Sequence, residues 1–308
     1  MTSIFISAAE KLLALMCFFA LGFYLSRRKL TADNAPQTLS TLLTTCFCPA
    51  LTIDAMAANL NLASVRSHAD LLLASCILMI VGIPISRVLS RALAGEDADL
   101  RAILQYNLLF TNFGYIGYPM ILGIFGEAAL ARYLLYVVPV NVAINLYGRV
   151  AVEGRKLSFR SLLNPLALST LLGLLIGIAG IRLPRVAADV LSAAGACTGP
   201  VSMLLTGMVL SRVDLKGCFL DRKNYLFSAL RLVILPLAAL GIMRALGVRG
   251  EALLFTGCFL CFPFGSNPVV FREALGMDSQ KAAGMTLVSY MLSLATFPMI
   301  ISLFHLSM

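Results

Sequence analysis

The feature that most constrains this chain is a series of apolar blocks, each about 20 residues long, separated by short charged connectors. A helix needs about 20 apolar residues to cross the hydrocarbon core of a bilayer. Of the 308 residues, 59% are hydrophobic and 13% are charged, whereas soluble domains are near half apolar and a quarter charged. The blocks therefore predict an all-α integral membrane protein.

We predict ten transmembrane spans, with boundaries good to a few residues. The first block is counted as a span because its positive charge follows the apolar run, the reverse of a signal peptide. An even number of spans places both termini on the same side of the membrane. The predicted spans are 4–25, 36–57, 69–90, 101–125, 130–149, 162–181, 186–210, 225–243, 251–272 and 282–304.

The connectors alternate in charge along the chain. Those after odd-numbered spans hold sixteen Arg and Lys residues, and the others hold six. Cytoplasmic loops carry the excess of positive charge, so we predict a cell (inner) membrane protein with both termini outside the cytoplasm. The same rule explains the net charge of +9, and no basic stripe alternates with aromatic residues. We therefore expect a lipid bilayer, and not nucleic acid, as the surrounding partner.

The residue types that usually hold metals or cofactors are poorly placed for that work. Cys258 and Cys261 have the spacing of a redox or zinc pair, but they lie inside an apolar block without a second pair at ligand spacing. His68 falls in a connector and His305 near the C-terminal end. We predict no metal site and no cofactor.

An internal repeat is the most informative pattern. Four pairs of Pro- or Gly-containing elements recur in the same order at separations of 149 to 152 residues. The pairs are Pro49 with Pro200, Pro84 with Pro236, Gly114 with Gly265 and Pro119 with Pro268. Five spans in each half require the two halves to be inverted in the membrane. Inverted repeats with interrupted spans at matching positions are typical of secondary transporters.

The repeat divides the chain into residues 1–150, a short cytoplasmic connector at 151–161, and residues 162–308. In each half the fourth span should be broken, because glycine and proline interrupt helices. A broken helix in lipid survives only inside protein or beside a water-filled cavity. We expect the two breaks to meet near the bilayer midplane. There, half-helix N-termini would offer free N–H groups and a partial positive charge to a carboxylate.

The predicted substrate-binding residues are those at the two breaks. Asparagine and serine can donate hydrogen bonds without a full charge, and tyrosine adds a hydroxyl and an aromatic wall. The same side chains could instead only cap the broken helix ends. The residues are Asn112, Gly114, Tyr115, Gly117, Pro119, Pro263, Gly265, Ser266, Asn267 and Pro268.

The run from Asn112 to Pro119, Asn-Phe-Gly-Tyr-Ile-Gly-Tyr-Pro, resembles the auxin efflux carrier family, whose bacterial members include malonate- and malate-type permeases. Phe125-Gly126-Glu127, the run Cys48 to Leu51 and the stretch from Phe262 to Gly276 add to the resemblance, which covers essentially the whole chain.

The resemblance implies a scaffold of spans 1, 2, 6 and 7 and a moving transport domain of spans 3–5 and 8–10. Spans 4 and 9 would cross at their prolines, where an anionic substrate binds. The plant carriers have a long central hydrophilic loop, and this chain has only about residues 150–161, which favours a bacterial-type carrier.

Charged residues inside predicted spans are candidates for function. Arg231 lies about two turns into span 8 and could pair with a substrate carboxylate, or it could lie near the cytoplasmic end. Asp54 lies late in span 2, where a solvated end and a proton site are equally plausible. We treat both as candidate charge partners.

The leading hypothesis is a secondary transporter of small mono- or dicarboxylates that works by alternating access at the crossing spans. A sodium- or proton-coupled symporter or antiporter of the related bile-acid-symporter-like fold is an alternative, although no carboxylate lies at either break. An intramembrane enzyme is a remote alternative, because no catalytic cluster such as H-E-x-x-H appears. We therefore predict that the chain is not an enzyme.

The run Gly173-Leu-Leu-Ile-Gly177 in span 6 is a G-x-x-x-G motif. This motif allows close approach of helices in membranes. It could form a homodimer face on the scaffold helices or pack within one protomer.

Overall fold

A computed structural model of the chain describes residues 2–148, 163–274 and 276–306, and in these residues the regular secondary structure is helical. Two short helices, Leu62–Ser67 and Leu215–Leu220, lie in connectors. The longer helices are α1 (Thr2–Arg27), α2 (Ala35–Asn59), α3 (Ala69–Ala94), α4 (Ala98–Leu109), α5 (Phe113–Phe125), α6 (Glu127–Tyr136), α7 (Val138–Gly148), α8 (Pro165–Ala179), α9 (Arg185–Leu210), α10 (Arg222–Ala245), α11 (Gly250–Cys261), α12 (Asn267–Ala274) and α13 (Gln280–Leu306).

Within the described ranges, six helices are long and apolar enough to cross a membrane, namely α1, α2, α3, α9, α10 and α13. The pair α6–α7, bent by 45°, makes a seventh if it counts as one span. Helices α5, α8 and α11 are apolar but shorter. The prediction of a multi-pass, all-helical membrane protein is confirmed, and the count of ten crossings stays a prediction. The connector at 151–161 lies outside the described residues.

Prolines shape the helices through short π-helical turns. Three such turns, Leu43–Phe47, Phe113–Gly117 and Leu230–Ile234, each end two residues before a proline. Proline has no N–H and its ring collides with the carbonyl four residues earlier. A wider i→i+5 turn moves that carbonyl aside and still satisfies the backbone. These turns allow Pro49, Pro119 and Pro236 to lie inside a helix.

Helices α1 and α9 pack with almost no space between their backbones. A Cβ atom on Gly22 would lie 2.2 Å from the carbonyl oxygen of Leu204, and one on Gly207 would lie 2.1 Å from that of Phe19. Each helix therefore has a glycine against which the backbone of the other helix packs directly. Glycine is the one residue that allows such an approach.

Helices α8 and α2 form a second close pair, and it uses the G-x-x-x-G motif. A Cβ on Gly173 would lie 3.0 Å from the Cα of Ile53, and one on Gly177 would lie 2.6 Å from the carbonyl oxygen of Leu60. Of the two uses predicted for this motif, the structure shows packing within the protomer. The motif is thus occupied, and a homodimer through the scaffold helices would need other residues.

We predict that Gly207→Ala destabilises the protein, because its methyl group would collide with backbone atoms of α1 that cannot rotate away. Overpacking of this kind costs about 1–3 kcal/mol or more. The measurement is the thermal unfolding midpoint of the detergent-solubilised protein. Gly241→Ala on α10 is the matched control, because nothing lies within 4 Å of its Cβ position. An unchanged midpoint for Gly207→Ala would contradict the close α1–α9 contact.

Candidate functional site

Two helix interruptions meet inside the protein and form the centre of the candidate site. Residues 110–112 separate α4 from α5, and residues 262–266 separate α11 from α12. The two extended segments run antiparallel, with Thr111 opposite Phe264. The Asn112 N–H donates a hydrogen bond of 3.0 Å to the carbonyl of Pro263. Each interruption thus satisfies backbone groups of the other, as a nonpolar surrounding requires. We call residues 110–112 and 262–266 the crossover.

The first interruption lies slightly before the glycines and proline that predicted it. Gly114 and Gly117 belong to the π-helical turn that opens α5, and Pro119 lies in the first turn of the α-helical part that follows. The π-helical turn before Pro119 accommodates the N–H that proline lacks, so the helix continues through it. In the second interruption, Pro263 and Gly265 lie in the break itself.

Asn112 caps the first half-helix. Its side-chain oxygen accepts a hydrogen bond from the Tyr115 N–H at 3.2 Å, and its side-chain nitrogen donates to the hydroxyl of Tyr290 on α13. An asparagine oxygen bonded to the third N–H of a helix is a standard N-cap. Asn112 is buried, so these contacts fix its amide at the crossover.

The second half-helix starts in a similar way. The carbonyl of Ser266 accepts hydrogen bonds from the Val269 and Val270 N–H groups, both at 3.1 Å. The Asn267 side-chain nitrogen donates to the hydroxyl of Tyr106 on α4 at 2.8 Å. Each half-helix N-terminus therefore carries an asparagine amide that is oriented by a buried tyrosine.

The ten residues predicted to bind substrate divide by exposure. Gly114, Tyr115, Pro119 and Asn267 are half-buried. The remaining six are buried at the crossover or in the first turns of the helices that follow it: Asn112, Gly117, Pro263, Gly265, Ser266 and Pro268. Helix α9 reaches this region, because the Ser202 hydroxyl donates to the carbonyl of Tyr115 at 3.0 Å.

The glycines of the crossover differ in how much room they have. A Cβ on Gly117 would lie 2.9 Å from the ring of Phe262, so the two interrupted spans touch there. A Cβ on Gly114 or Gly265 would have its nearest neighbour at 3.9 Å or 3.5 Å, which is ordinary contact. Gly117 is therefore needed for packing, whereas a methyl group at residue 114 or 265 would make only ordinary contacts.

Arg231 is fully buried and does not lie at a solvated helix end. Its Nη1 donates to the carbonyl of Leu108 at 2.9 Å, and its Nη2 to that of Phe259 at 3.4 Å. These carbonyls belong to the last turns of α4 and α11. The guanidinium carbon also lies 5.8 Å from the centre of the Phe259 ring. Among the described residues no carboxylate pairs with Arg231, and its Nε has no hydrogen-bond partner.

Asp54, the other predicted charge partner, is half-buried on α2. In the described part of the chain, no ion pair joins Asp54 to a residue of the crossover. The structure therefore does not bring Asp54 into the group of residues at the crossover.

Several residues that the sequence did not single out complete the site. Tyr290 and Tyr106 orient the two asparagines, and Ser202 contacts the first half-helix. The Asn107 amide and the Thr111 hydroxyl are buried without a hydrogen-bond partner. Two of the hydrogen bonds join residues 178 and 161 positions apart, so no local pattern could have found them.

A cleft of about 380 Å³ lies behind the crossover, between α3 and α10. Its walls are mostly apolar and include Leu108 and Leu260 from the last turns of α4 and α11, and Arg231 also lines it. A cleft with so few polar groups suits apolar groups rather than a small, strongly hydrated anion. The crossover, with its oriented amides, is the better candidate for a polar ligand.

Comparison with known proteins identifies the family. The model of the family described as "Membrane transport protein" matches residues 7–156 and 149–301. The chain belongs to this family. The resemblance to the auxin efflux carriers is confirmed. A curated relative from Methanothermobacter thermautotrophicus, described as an uncharacterized transporter, is 25% identical over 304 residues, which cover 96% of this chain and 98% of the relative.

The family membership and the apolar helices together show a multi-pass membrane transport protein. This supports the prediction that the chain is not an enzyme, since the family and the relative are transporters. In the described part of the chain, no three His, Cys, Asp or Glu side chains are grouped so that they could hold a metal ion.

We predict that Gly117→Ala lowers the thermal unfolding midpoint more than Gly114→Ala does. The added methyl group at residue 117 collides with the Phe262 ring, which is itself stacked on Phe297 at 5.2 Å. Overpacking costs about 1–3 kcal/mol. At residue 114 the same methyl group has room. Equal midpoints for the two purified variants would show that the interrupted spans do not touch at Gly117.

Proposed function

We propose that this auxin efflux carrier family member is a secondary transporter of small organic anions, and that the anion binds at the crossover during alternating access. The observation that carries the proposal is the direct contact of the two interrupted spans through Thr111, Asn112, Pro263 and Phe264. Interrupted helices that meet in this way are the usual architecture of substrate sites in secondary transporters.

The chemistry of the crossover favours an anion. Helices α5 and α12 both begin there, and the first N–H groups of a helix have no intrahelical partner. Their partial positive charge attracts carboxylates. The asparagine amides of Asn112 and Asn267 lie at these two starts.

Buried polar groups without partners give further support. The Asn107 amide and the Thr111 hydroxyl lie on either side of the end of α4. Leaving such groups unsatisfied costs about 1–3 kcal/mol each. A polar substrate or its water could satisfy them in one state of the transport cycle. This arrangement suits a binding site whose hydrogen bonds change between the states of the transport cycle.

We propose that the helices divide into a scaffold and a transport domain, as the family resemblance implies. Helices α1, α2, α8 and α9 would form the scaffold, and α3–α7 with α10–α13 the transport domain. The glycine-based pairs α1–α9 and α2–α8 support this division. Tight backbone contact makes each pair a rigid unit, and each pair joins one proposed repeat to the other.

The ion pairs at the ends of α4 and α11 support the inverted repeat. Glu251 in the first turn of α11 accepts two hydrogen bonds of 2.7 Å from Arg132 on α6. Asp97, which caps α4, pairs with Lys281 on α13 at 2.6 Å. Arg132 and Lys281 are 149 residues apart, as the proposed repeat requires. The Leu100 N–H and Lys281 hold the pKa of Asp97 below its usual range.

The test of the proposed function is uptake into proteoliposomes. We expect the purified protein to transport at least one of malonate, malate, succinate, a monocarboxylate or an indole acid. Each is assayed with and without a sodium gradient and with and without a pH gradient, which also separates the coupled alternatives. Transport of only cations or neutral solutes by folded protein would overturn the proposal.

We predict that Asn112→Asp reduces anion uptake at least tenfold and leaves the fold intact. Aspartate keeps the capping oxygen, but it adds a negative charge at the site. Asn61→Asp is the matched control, because Asn61 is an exposed N-cap whose oxygen accepts from the Ser64 N–H at 2.8 Å. Unchanged uptake by a well-folded Asn112→Asp variant would exclude Asn112 from the anion site.

We propose a location in the cell membrane with both termini outside the cytoplasm, on the basis of the connector charges. A periplasmic alkaline phosphatase fused after residue 308 should then be active, and green fluorescent protein fused there should be dark. Insertion of the same reporters in the cytoplasmic connector at 151–161 should give the opposite result. A fluorescent C-terminal fusion would reverse the proposed orientation.

A further inference from the structure

Arg231 is a buried cation placed where two helices end. Its guanidinium donates hydrogen bonds to Leu108 and Phe259, in the last turns of α4 and α11. A buried, unpaired charge is expensive in a membrane protein, and residues of this kind usually have a function. Arg231 is fully buried and belongs to the lining of the apolar cleft between α3 and α10, and its two hydrogen bonds go to Leu108 and Phe259 and not to residues of the crossover.

Four helix ends meet at the crossover, and their partial charges differ in sign. The C-termini of α4 and α11 each carry about half a negative charge, and the N-termini of α5 and α12 each carry about half a positive charge. Without Arg231 these partial charges would nearly cancel. The crossover would then have little preference for an anion over a cation or a neutral solute.

We infer that Arg231 sets the charge selectivity of the carrier without contacting the substrate. By binding the carbonyl ends of α4 and α11, it cancels the two negative helix ends and leaves the two positive ends uncompensated. The inference rests on the proposed function, because it concerns the anion that binds at the crossover. Arg231 is thus a positioning and selectivity residue rather than a substrate ligand.

The apolar cleft between α3 and α10 strengthens the effect. Arg231 lines this cleft, and the walls of the cleft contain no carboxylate. No counter-ion is therefore available from the cleft walls, and the low dielectric of the surroundings keeps the field of the guanidinium strong. At about 10 Å in a medium of effective dielectric about 20, one charge changes the affinity for a unit anion on the order of tenfold.

A neighbouring serine allows this charge to be cancelled without removing the arginine. Ser228 lies one helical turn before Arg231 on α10, is fully buried and has no hydrogen-bond partner. Residues three apart on a helix lie on the same face, so an aspartate at position 228 can pair with the guanidinium. Ser228→Asp should therefore neutralise the field, and Ser228→Asn should add nearly the same volume without charge.

The experiment measures how well three competitors of similar size inhibit uptake of a radiolabelled carboxylate that the wild type transports. The three competitors are malonate, monomethyl malonate and malonamide, which carry two, one and no negative charges at neutral pH. The wild type should prefer them in that order. Arg231→Gln and Ser228→Asp should weaken inhibition by the dianion most, on the order of a hundredfold, and leave that by the neutral diamide unchanged.

Three variants should keep the wild-type order. Arg231→Lys retains the charge, Ser228→Asn tests the added volume, and Arg244→Gln removes an exposed cation from the end of α10. A purely structural role for Arg231 would change all three inhibition constants equally. If Arg231→Gln does not fold, the Ser228 pair decides the question.

The outcomes separate this inference from the proposed function. If the folded wild type transports no carboxylate, the proposed function fails. If the wild type transports carboxylates but Ser228→Asp or Arg231→Gln keeps the same charge preference, only the selectivity role of Arg231 is overturned. If folded Arg231→Lys no longer prefers malonate over monomethyl malonate and malonamide, the selectivity role of Arg231 is also overturned.

Discussion

The structure depends on the need to pair every backbone polar group in a surrounding that offers no water. Two helices that end inside the protein leave several backbone N–H and carbonyl groups without a partner in their own helix. At the crossover, backbone groups of one interruption pair with those of the other. The antiparallel contact of Thr111 with Phe264 and the bond from Asn112 to Pro263 are part of this pairing. Because each break is stable only in contact with its partner, the two spans must be positioned together. This shared position also creates a polar site in an otherwise apolar protein.

The helix packing around the crossover fits the proposed division into a rigid scaffold and a moving transport domain. Where α1 meets α9 and α2 meets α8, glycine brings backbones into direct contact, and a well-packed interface of this kind has little freedom to slide. At Gly114 and Gly265 an added Cβ would make only ordinary contacts, at 3.9 Å and 3.5 Å. Glycine is therefore required for close backbone packing in the proposed scaffold but not at these two positions.

Much of this architecture could be predicted from the sequence because its signals are local. Apolar block length predicted the helices, and the Gly and Pro residues predicted interruptions near residues 114 and 265. The break before α5 was predicted a few residues too late, because the π-helical turn at Phe113–Gly117 absorbs the glycines before Pro119. The partners of Asn112 and Asn267 were not predictable. They come from distant helices, and only the packing brings them together.

Arg231 shows most clearly what sequence alone cannot decide. Its position in span 8 allowed either a solvated end or a substrate contact, and the structure shows neither. The proposed repeat pairs Pro84 with Pro236, 152 residues apart, so the counterpart of Arg231 in the first half is Met79, which is buried on α3. A second cation there would add another buried charge without a counter-ion. One guanidinium reaches the C-termini of both α4 and α11, so under the proposed repeat a single residue in one half serves both halves of the proposed site.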